Sequence, residues 1–396
     1  MPNTLREHAD LGISIESTWG QASPNFTGAR RLLVEPGEWL RDVIDEWRDE
    51  LPRNVLARDY NSIPTVGRGE GTLRGPWTPV MPGYLLQSVF GASTISGLNT
   101  GANAATGMAI HDFTIAAEPD FLSITQHDNI AEEQFLGMIV SSFTIRFTTG
   151  EGPVEWEAEF IGRGRTFPAT ARSITYHPSY VTTPPRPLIG AMALTDINGN
   201  TTAKVLDFEM VISREIELAY GAGNARRPNI IRASTPRVTF RATAEFQVES
   251  DITKYSNDVG SNSSNAQAAS YTFNQPSATY FDSNLDTWHV RIATDPDILT
   301  THTPLPTTAV TNGTVVIGTI GTEFTTGADS HRGLIDLYLD RVTYASDPIV
   351  VDRGETTSTI QFNGVATYDT TDTRIGVFRV INEKNATLYS GDGMLD

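Results

Sequence analysis

The chain has no cysteine. Disulfides, thiolate zinc sites and thiol nucleophiles are therefore excluded. Basic residues are scarce as well: 29 Lys and Arg face 47 Asp and Glu, for a net charge of −18. Gripping nucleic acid through its phosphates needs a basic footprint, so the charge argues against tight nucleic-acid binding. A surface past which nucleic acid slides without sticking fits the same charge. No apolar run approaches the roughly 18 residues that a membrane-spanning helix needs. Met1 to Asp10 lack the charged-then-apolar pattern of a secretory signal, so folding in a cytoplasm is expected. Catalytic motifs are missing too: neither an HExxH metal motif nor a Gly-x-Ser-x-Gly elbow occurs. Gly67-Arg68-Gly69-Glu70-Gly71 looks like a phosphate loop, but no Lys-Ser/Thr pair follows it and no buried parallel strand precedes it.

What is present is turn-forming and β-forming material. The 396 residues include 33 Gly and 22 Pro with many Thr and β-branched residues, which points to an all-β fold with many turns. The most informative stretch runs from Gly137 to Gly164 and predicts a long β-hairpin. Period-two alternation puts Ile139, Ser141, Phe143, Ile145 and Phe147 on one face, and Met138, Val140, Ser142, Thr144 and Arg146 on the other. Thr149-Gly150-Glu151-Gly152 makes the turn. In the second arm Val154, Trp156, Ala158 and Phe160 share the apolar face, and Glu155, Glu157 and Glu159 form a row of carboxylates opposite.

The length suggests two domains. Residues 1–30 are expected as a polar arm, 31–180 as a first β domain and 181–396 as a second, with the boundary in the proline-rich segment 166–188. One short helix is expected over 38–50, where Trp39, Leu40, Val43, Ile44 and Trp47 recur at helical spacing. Another is expected over Pro82–Gly91, closed by Gly91 as C-cap. Residues 91–107 and 256–270 read as polar loops. Strands are expected at 110–115, 121–127, 191–195, 203–212, 216–219, 237–248, 334–342, 359–368 and 373–382. Residues 250–257 read as a short helix, and 294–331 as a Thr-, Pro- and Gly-rich insertion. The halves echo each other: in each, an extended strand runs into a short helix, then a polar loop and further strands.

Candidate chemistry is thin. His111-Asp112 and His127-Asp128 are adjacent in strands and so point to opposite faces. Asp282 to Asp286 and Asp295-Pro296-Asp297 have oxygen ligands at loop spacing without the Gly and Glu of a calcium loop, and read as Asx-turns. Glu155, Glu157 and Glu159 alternate along one strand, whereas glycosidase carboxylates come from separate elements of a cleft. Arg163, Arg165, Arg226 and Arg227 are expected to pair with acids between subunits. No cofactor or metal is expected.

Three stretches carry a resemblance: the opening Ile15-Glu16-Ser17-Thr18-Trp19-Gly20-Gln21-Ala22, the Gly-rich strand leading into Tyr84–Gly91, and the closing Asp347-Pro348-Ile349-Val350 with the alternating strands that end at Asn382. They resemble the major tail tube protein of long-tailed bacteriophages. The resemblance implies β-sandwich tube domains, duplicated in this chain, that share a β-barrel on oligomerisation. It implies trimeric pseudo-hexameric or hexameric rings that stack into a hollow tail. Its partners would be further copies of itself, the tape measure protein, and tail terminator and tail-tip proteins, with DNA passing through and no membrane contact. Glu155, Glu157 and Glu159 would line the lumen, and Trp19, Arg163, Arg165, Arg226 and Arg227 would lie between subunits. The arm 1–30 and the loops 91–107 and 256–270 would touch neighbouring rings. The alternatives are a two-domain glycan- or receptor-binding module, for which the 294–331 insertion also fits, and a glycan hydrolase.

Overall fold

The structure is a computed structural model that describes residues 10–21, 29–35, 37, 39–48, 62–78, 82–97, 109–116, 118–127, 132–150, 152–168, 174–175, 187–190, 193–197, 204–221, 226–246, 286–294, 333–344, 350–353, 358–368 and 375–382. In the first half the elements are β1 (Asp10–Ile15), β2 (Ala29–Arg31), β3 (Leu40–Arg48), β4 (Ser62–Pro76), α1 (Pro82–Phe90), β5 (Gly91–Gly97), β6 (Ala109–Ile115), β7 (Leu122–His127), β8 (Glu132–Thr148), β9 (Glu155–Gly162), β10 (Gly164–Thr166) and β11 (Ile174–Thr175). The second half adds β12 (Ala193–Ile197), β13 (Lys204–Ser213), β14 (Ile216–Ala219), β15 (Ile230–Ala233), β16 (Arg237–Phe246), β17 (Asp286–Ala293), β18 (Leu334–Tyr344), β19 (Val350–Arg353), β20 (Ser358–Ala366) and β21 (Gly376–Asn382).

The fold is an all-β sandwich. One layer, the wall, has eight strands in the order β3-β4-β9-β8-β13-β16-β20-β19, every neighbour antiparallel. A back layer runs β5-β6-β21-β18-β17-β12. The first half of β8 leaves the wall and pairs with β7 and β10, and β7 continues through β1 to β2 and β11. β14 and β15 form a separate two-stranded ribbon. Strands from either side of the 166–188 segment are thus hydrogen-bonded to one another, through β8–β13 in the wall and β6–β21 behind it.

The apolar faces meet in one core that takes residues from both halves. Phe143 stacks with Trp156 at 6.5 Å, and Phe147 with Phe208 at 5.5 Å. Phe208 then meets Phe240 at 6.2 Å, and Trp288 of the back layer packs on Phe240 and Phe362 at 4.6 and 5.2 Å. Each such pair adds about 0.5–1.5 kcal/mol beyond area burial. Helix α1 is buried along its length. Pro82 starts it and Gly91, at φ 83°, ends it as expected. The buried Arg214 donates from Nη2 to Phe90 O at 3.2 Å and to Ala116 O at 3.1 Å, placing a cation where the helix dipole is negative. Burial lowers its pKa to about 10.

Three expectations are corrected. The segment expected as a helix over 38–50 is strand β3, because the glycines of β4 bring two backbones together there. A Cβ on Gly71 would lie 2.4 Å from Trp39 O. Residues 91–97, expected as loop, pair with β6; 98–107 lie outside the described residues. Strict alternation in β8 fails at Ser141, a bulge: Val140 pairs with Phe160 and Ser142 with Glu159. Val140, not Ser141, therefore shares the core face with Phe143. The expected helix 250–257, the loop 256–270 and the insertion 294–331, apart from Thr294 itself, lie outside the described residues. Within the expected arm 1–30, β1 pairs with β7 along its whole length, with Leu11, Ile13 and Ile15 buried.

The back layer buries a charge network. Asp336 binds His289 and, at 3.0 Å, Arg291, while Arg379 opposite Asp336 clasps Asp112, its Nη2 lying 2.7 Å from Oδ2. Burial acts to raise the Asp336 pKa, but the His289 and Arg291 side chains outweigh it and hold the carboxyl well below the usual carboxylate range. Its contribution is present above the unfolded value of about 3.9 and is lost as the pH falls below that. Asp336→Asn is expected to destabilise the fold by about 3–5 kcal/mol, by stranding Arg291, read as a lowered urea midpoint at neutral pH.

Candidate functional site

With no catalytic cluster to build from, the functional surface is the solvent face of the wall. Alternation along each strand turns one side chain inward and the next outward. In β9, Trp156, Ala158 and Phe160 are buried, and Glu155, Glu157 and Glu159 face outward in one row, as predicted. On the neighbouring β8 they stand opposite Arg146, Thr144 and Ser142, and on β4 opposite Pro76, Arg74 and Thr72. Arg146 Nε donates to Glu155 at 2.7 Å, and across β8 it also faces Glu209 of β13. Glu209 in turn faces Arg241 of β16. A row Glu155, Arg146, Glu209, Arg241 therefore crosses four strands with alternating sign. The face is polar and mixed in charge, with Glu157 and Glu159 opposite hydroxyls on β8.

The five residues expected between subunits lie along one end of the wall. Four of them have side-chain partners within the chain. Trp19 donates from Nε1 to Gly137 O at 3.4 Å and packs against Phe121 at 6.3 Å. Arg163 lies over the Trp19 ring at 5.9 Å and donates to Gly20 O at 2.9 Å. Arg165 pairs with Glu133 at 2.7 Å. Arg227 clasps Asp42 with both terminal nitrogens, Nη2 at 2.7 Å from Oδ2. Burial acts to raise the Asp42 pKa; the Arg227 guanidinium and the Arg165 N–H outweigh it, so the carboxyl lies below its usual value. Arg226, at φ 68°, accepts from Gly67 N–H through its carbonyl at 2.9 Å. These bonds tie the β14–β15 ribbon to the β3–β4 hairpin. Beside the ribbon lies a groove of about 460 Å³ lined by Trp19, Pro119, Phe121 and Ile230 to Ala233.

One residue that the sequence reading passed over organises this end. Glu16 is buried at the end of β1. Its Oε1 accepts from Ser123 Oγ and Gly137 N, each at 2.7 Å, and its Oε2 from Gly20 N at 2.7 Å. Gly137 has φ 60°, and a Cβ there would lie 2.5 Å from Trp19 Nε1, so only glycine fits. The available signal was an acid directly before a Ser-Thr-Trp-Gly turn, where turn N–H groups need an acceptor. Burial pushes the Glu16 pKa up to about 7, against the Gly137, Ser123 and Gly20 hydrogen bonds and the Arg163 charge.

Among the described residues no cluster of His, Cys, Asp or Glu is arranged to hold a metal, and no helix is long and apolar enough to cross a membrane. His111 is buried in β6, and Asp112 beside it is engaged by Arg379.

A wide two-faced sheet with a polar outer surface, edge strands without a further partner among the described residues, and intramolecular clamps at one end is the build of a structural β protein. The sequence matches the phage tail tube protein family over residues 8–317, and the chain belongs to that family. It is thus a structural component of the virion tail, assembled there from many copies of itself. No curated protein matches the chain.

Because the folded Glu16 pKa is raised from 4.5 to about 7, the unfolded state binds fewer protons between those values, and stability falls as the pH rises through that window. The fall is about 3 kcal/mol if the whole shift is realised. Urea unfolding between pH 4.5 and pH 7 is expected to show this slope in the parent, and Glu16→Gln to flatten it.

Proposed function

We propose that this chain builds the tail tube of a long-tailed phage. Copies associate edge to edge into rings, trimeric and pseudo-hexameric or hexameric, and the rings stack into a hollow tube. In this reading the tube surrounds the tape measure protein during assembly, meets tail terminator and tail-tip proteins at its ends, and conducts DNA on ejection. The observation that carries the reading is the eight-stranded wall with one apolar, covered face and one polar face that no described residue covers.

The outer face suits a lumen. Its arginines alternate with carboxylates, so phosphate meets no continuous basic stripe to which it would adhere. Glu157 and Glu159 supply the repulsive part. Stacking is supported by a second observation. The large exposed apolar side chains among the described residues are Ile44, Trp47, Ile63, Phe167, Tyr220, Ile230 and Tyr368. They lie where β3 turns toward β4, after β10, on the β14–β15 ribbon and just after β20. Antiparallel alternation puts all of these positions at one end of the wall, whereas the other end carries the β8–β9 turn with Gly150 and Gly152 in open space. Apolar surface gathered at one end favours head-to-tail stacking on another ring.

Negative-stain microscopy of the concentrated protein at several salt levels tests the reading. Hollow tubes or stackable rings are expected, and compact monomers under every condition would turn attention to glycan binding. Trp47→Glu is expected to leave rings intact and shorten or abolish stacks, read by sedimentation. In phage carrying Glu157→Lys, DNA ejection is expected to slow, measured as DNA release after triggering.

A further inference from the structure

The two halves put unlike charges on the outer face of the wall. Each half gives it four strands, β3-β4-β9-β8 and β13-β16-β20-β19. In the first half, β9 turns Glu155, Glu157 and Glu159 outward. In the second, β16 turns Arg237, Thr239, Arg241 and Thr243 outward, since Val238, Phe240 and Ala242 are buried. Between these two strands run β8 and β13, the seam where the halves meet. Register sets the four strands in rows. Glu159, Ser142, Ser213 and Arg237 make one row, and Glu157, Thr144, Val211 and Thr239 the next. The third is the row Glu155, Arg146, Glu209, Arg241, in which every charge has an opposite neighbour.

In the first two rows the seam carries only short, half-buried side chains, and the charges stand on the flanks. Those charges are not used up within the chain. Glu159 and Arg237 form no ion pair among the described residues, and three strand spacings, about 14 Å, keep them from meeting each other. Arg74, opposite Glu157 on β4, is already bound to Glu35 at 2.8 Å. The result is a shallow trough. Its floor is Ser142, Thr144, Val211 and Ser213, one bank is negative and the other positive. Arg146 and Glu209, long side chains on the floor strands themselves, close one end.

From this we infer that the β8–β13 seam seats an α-helix that has basic residues along one flank, carboxylates along the other and small side chains between them. The inference rests on the tube reading, in which this face lines the bore, and gives a protein inside the bore a defined contact.

Dimensions and charges agree. A helix is about 10 Å across with its side chains, and the strands that carry the banks are about 14 Å apart. Outward residues of a strand recur about every 6.8 Å, and residues i and i+4 of a helix about every 6 Å. Two basic residues four apart therefore meet Glu157 and Glu159 together, and an acid on the opposite flank meets Arg237. A phosphate backbone fits worse: it would satisfy Arg237 but lie against two carboxylates in the same trough. Unlike banks also set the direction of the helix, because turning it end for end exchanges its flanks. The hold of one copy is weak, since exposed ion pairs are, and it adds up over the copies that one long partner spans.

The cysteine-free chain allows a test by disulfide capture. Thr144→Cys puts one thiol on the floor of the trough in the full-length protein. The probe is an alanine-rich helical peptide of about 20 residues, with one cysteine on the face between a lysine flank and a glutamate flank. Its control has the same composition with lysine and glutamate mixed on both flanks. The probe is expected to be captured at least about threefold faster than the control. Reversing one bank, by Glu157→Lys with Glu159→Lys or by Arg237→Glu, is expected to remove the difference. Reversing both is expected to restore it, with the helix lying end for end, a recovery that damage to the fold cannot produce. Equal capture of the two peptides would overturn the inference. So would a double reversal no better than the single ones, or loss of capture to equimolar duplex DNA, which would make the trough a phosphate surface. Flank-dependent capture by a protein that forms no tubes under the microscope would keep the seat and remove the tube reading. Hollow tubes whose chains capture both peptides alike would remove the seat alone.

Discussion

The pairing of β8 with β13 is the constraint on which the rest depends. Among the named strands of the described residues it is the pair that joins the two halves of the wall, and β8 is also the strand that leaves the wall to pair with β7 and β10. Its position fixes which face of the second half is covered, since a slip of one residue would turn Phe208, Met210 and Ile212 out of the core and Glu209 into it. Arg214, one residue past the end of β13, reinforces the joint twice. Its backbone N–H donates to Ser141 O at 2.8 Å in the β8 bulge, and its guanidinium caps α1. The helix of the first half is thus locked by a side chain of the second.

Much of this was legible in the sequence. The hairpin from Gly137 to Gly164, the strands β13, β16 and β20, and helix α1 announced themselves because their signals are local: period two, a Pro start, a Gly stop. The row Glu155, Glu157, Glu159 was legible for the same reason. What failed was decided at a distance. Leu40–Arg48 has helical spacing of apolar residues, yet it is a strand, because β4 offers it a ladder through glycines that let the backbones approach. The bulge at Ser141 offers its carbonyl to Arg214, far along the chain. Strand β17, missed in the sequence, buries His289 and Arg291, whose acceptor Asp336 lies on another strand far along the chain. The role of Glu16 was hidden because its donors come from three separate elements.

The echo between the halves was visible only as an order of features. The sequences do not repeat residue by residue, and the pairing pattern does. This is expected where a fold needs the same hydrogen-bond ladder but different decoration: Trp156 and Phe362 fill comparable inward positions, while the outward positions carry glutamates in β9 and Thr, Gln and Asn in β20. A polar wall tolerates such exchange because each outward side chain is constrained in polarity and not in shape.

The departure of β8 from the wall has a mechanical side. A load that spreads the wall reaches the side strands β7 and β10 along one unbroken backbone, through covalent bonds. A layer held only by side-chain packing would slide instead, since dispersion contacts resist shear weakly and reform after a step. The second half has the same arrangement in β18, which pairs with β20 at one end and with β21 at the other. A load on the wall is thus handed to strands outside it at two points, by β8 to β7 and β10 and by β18 to β21.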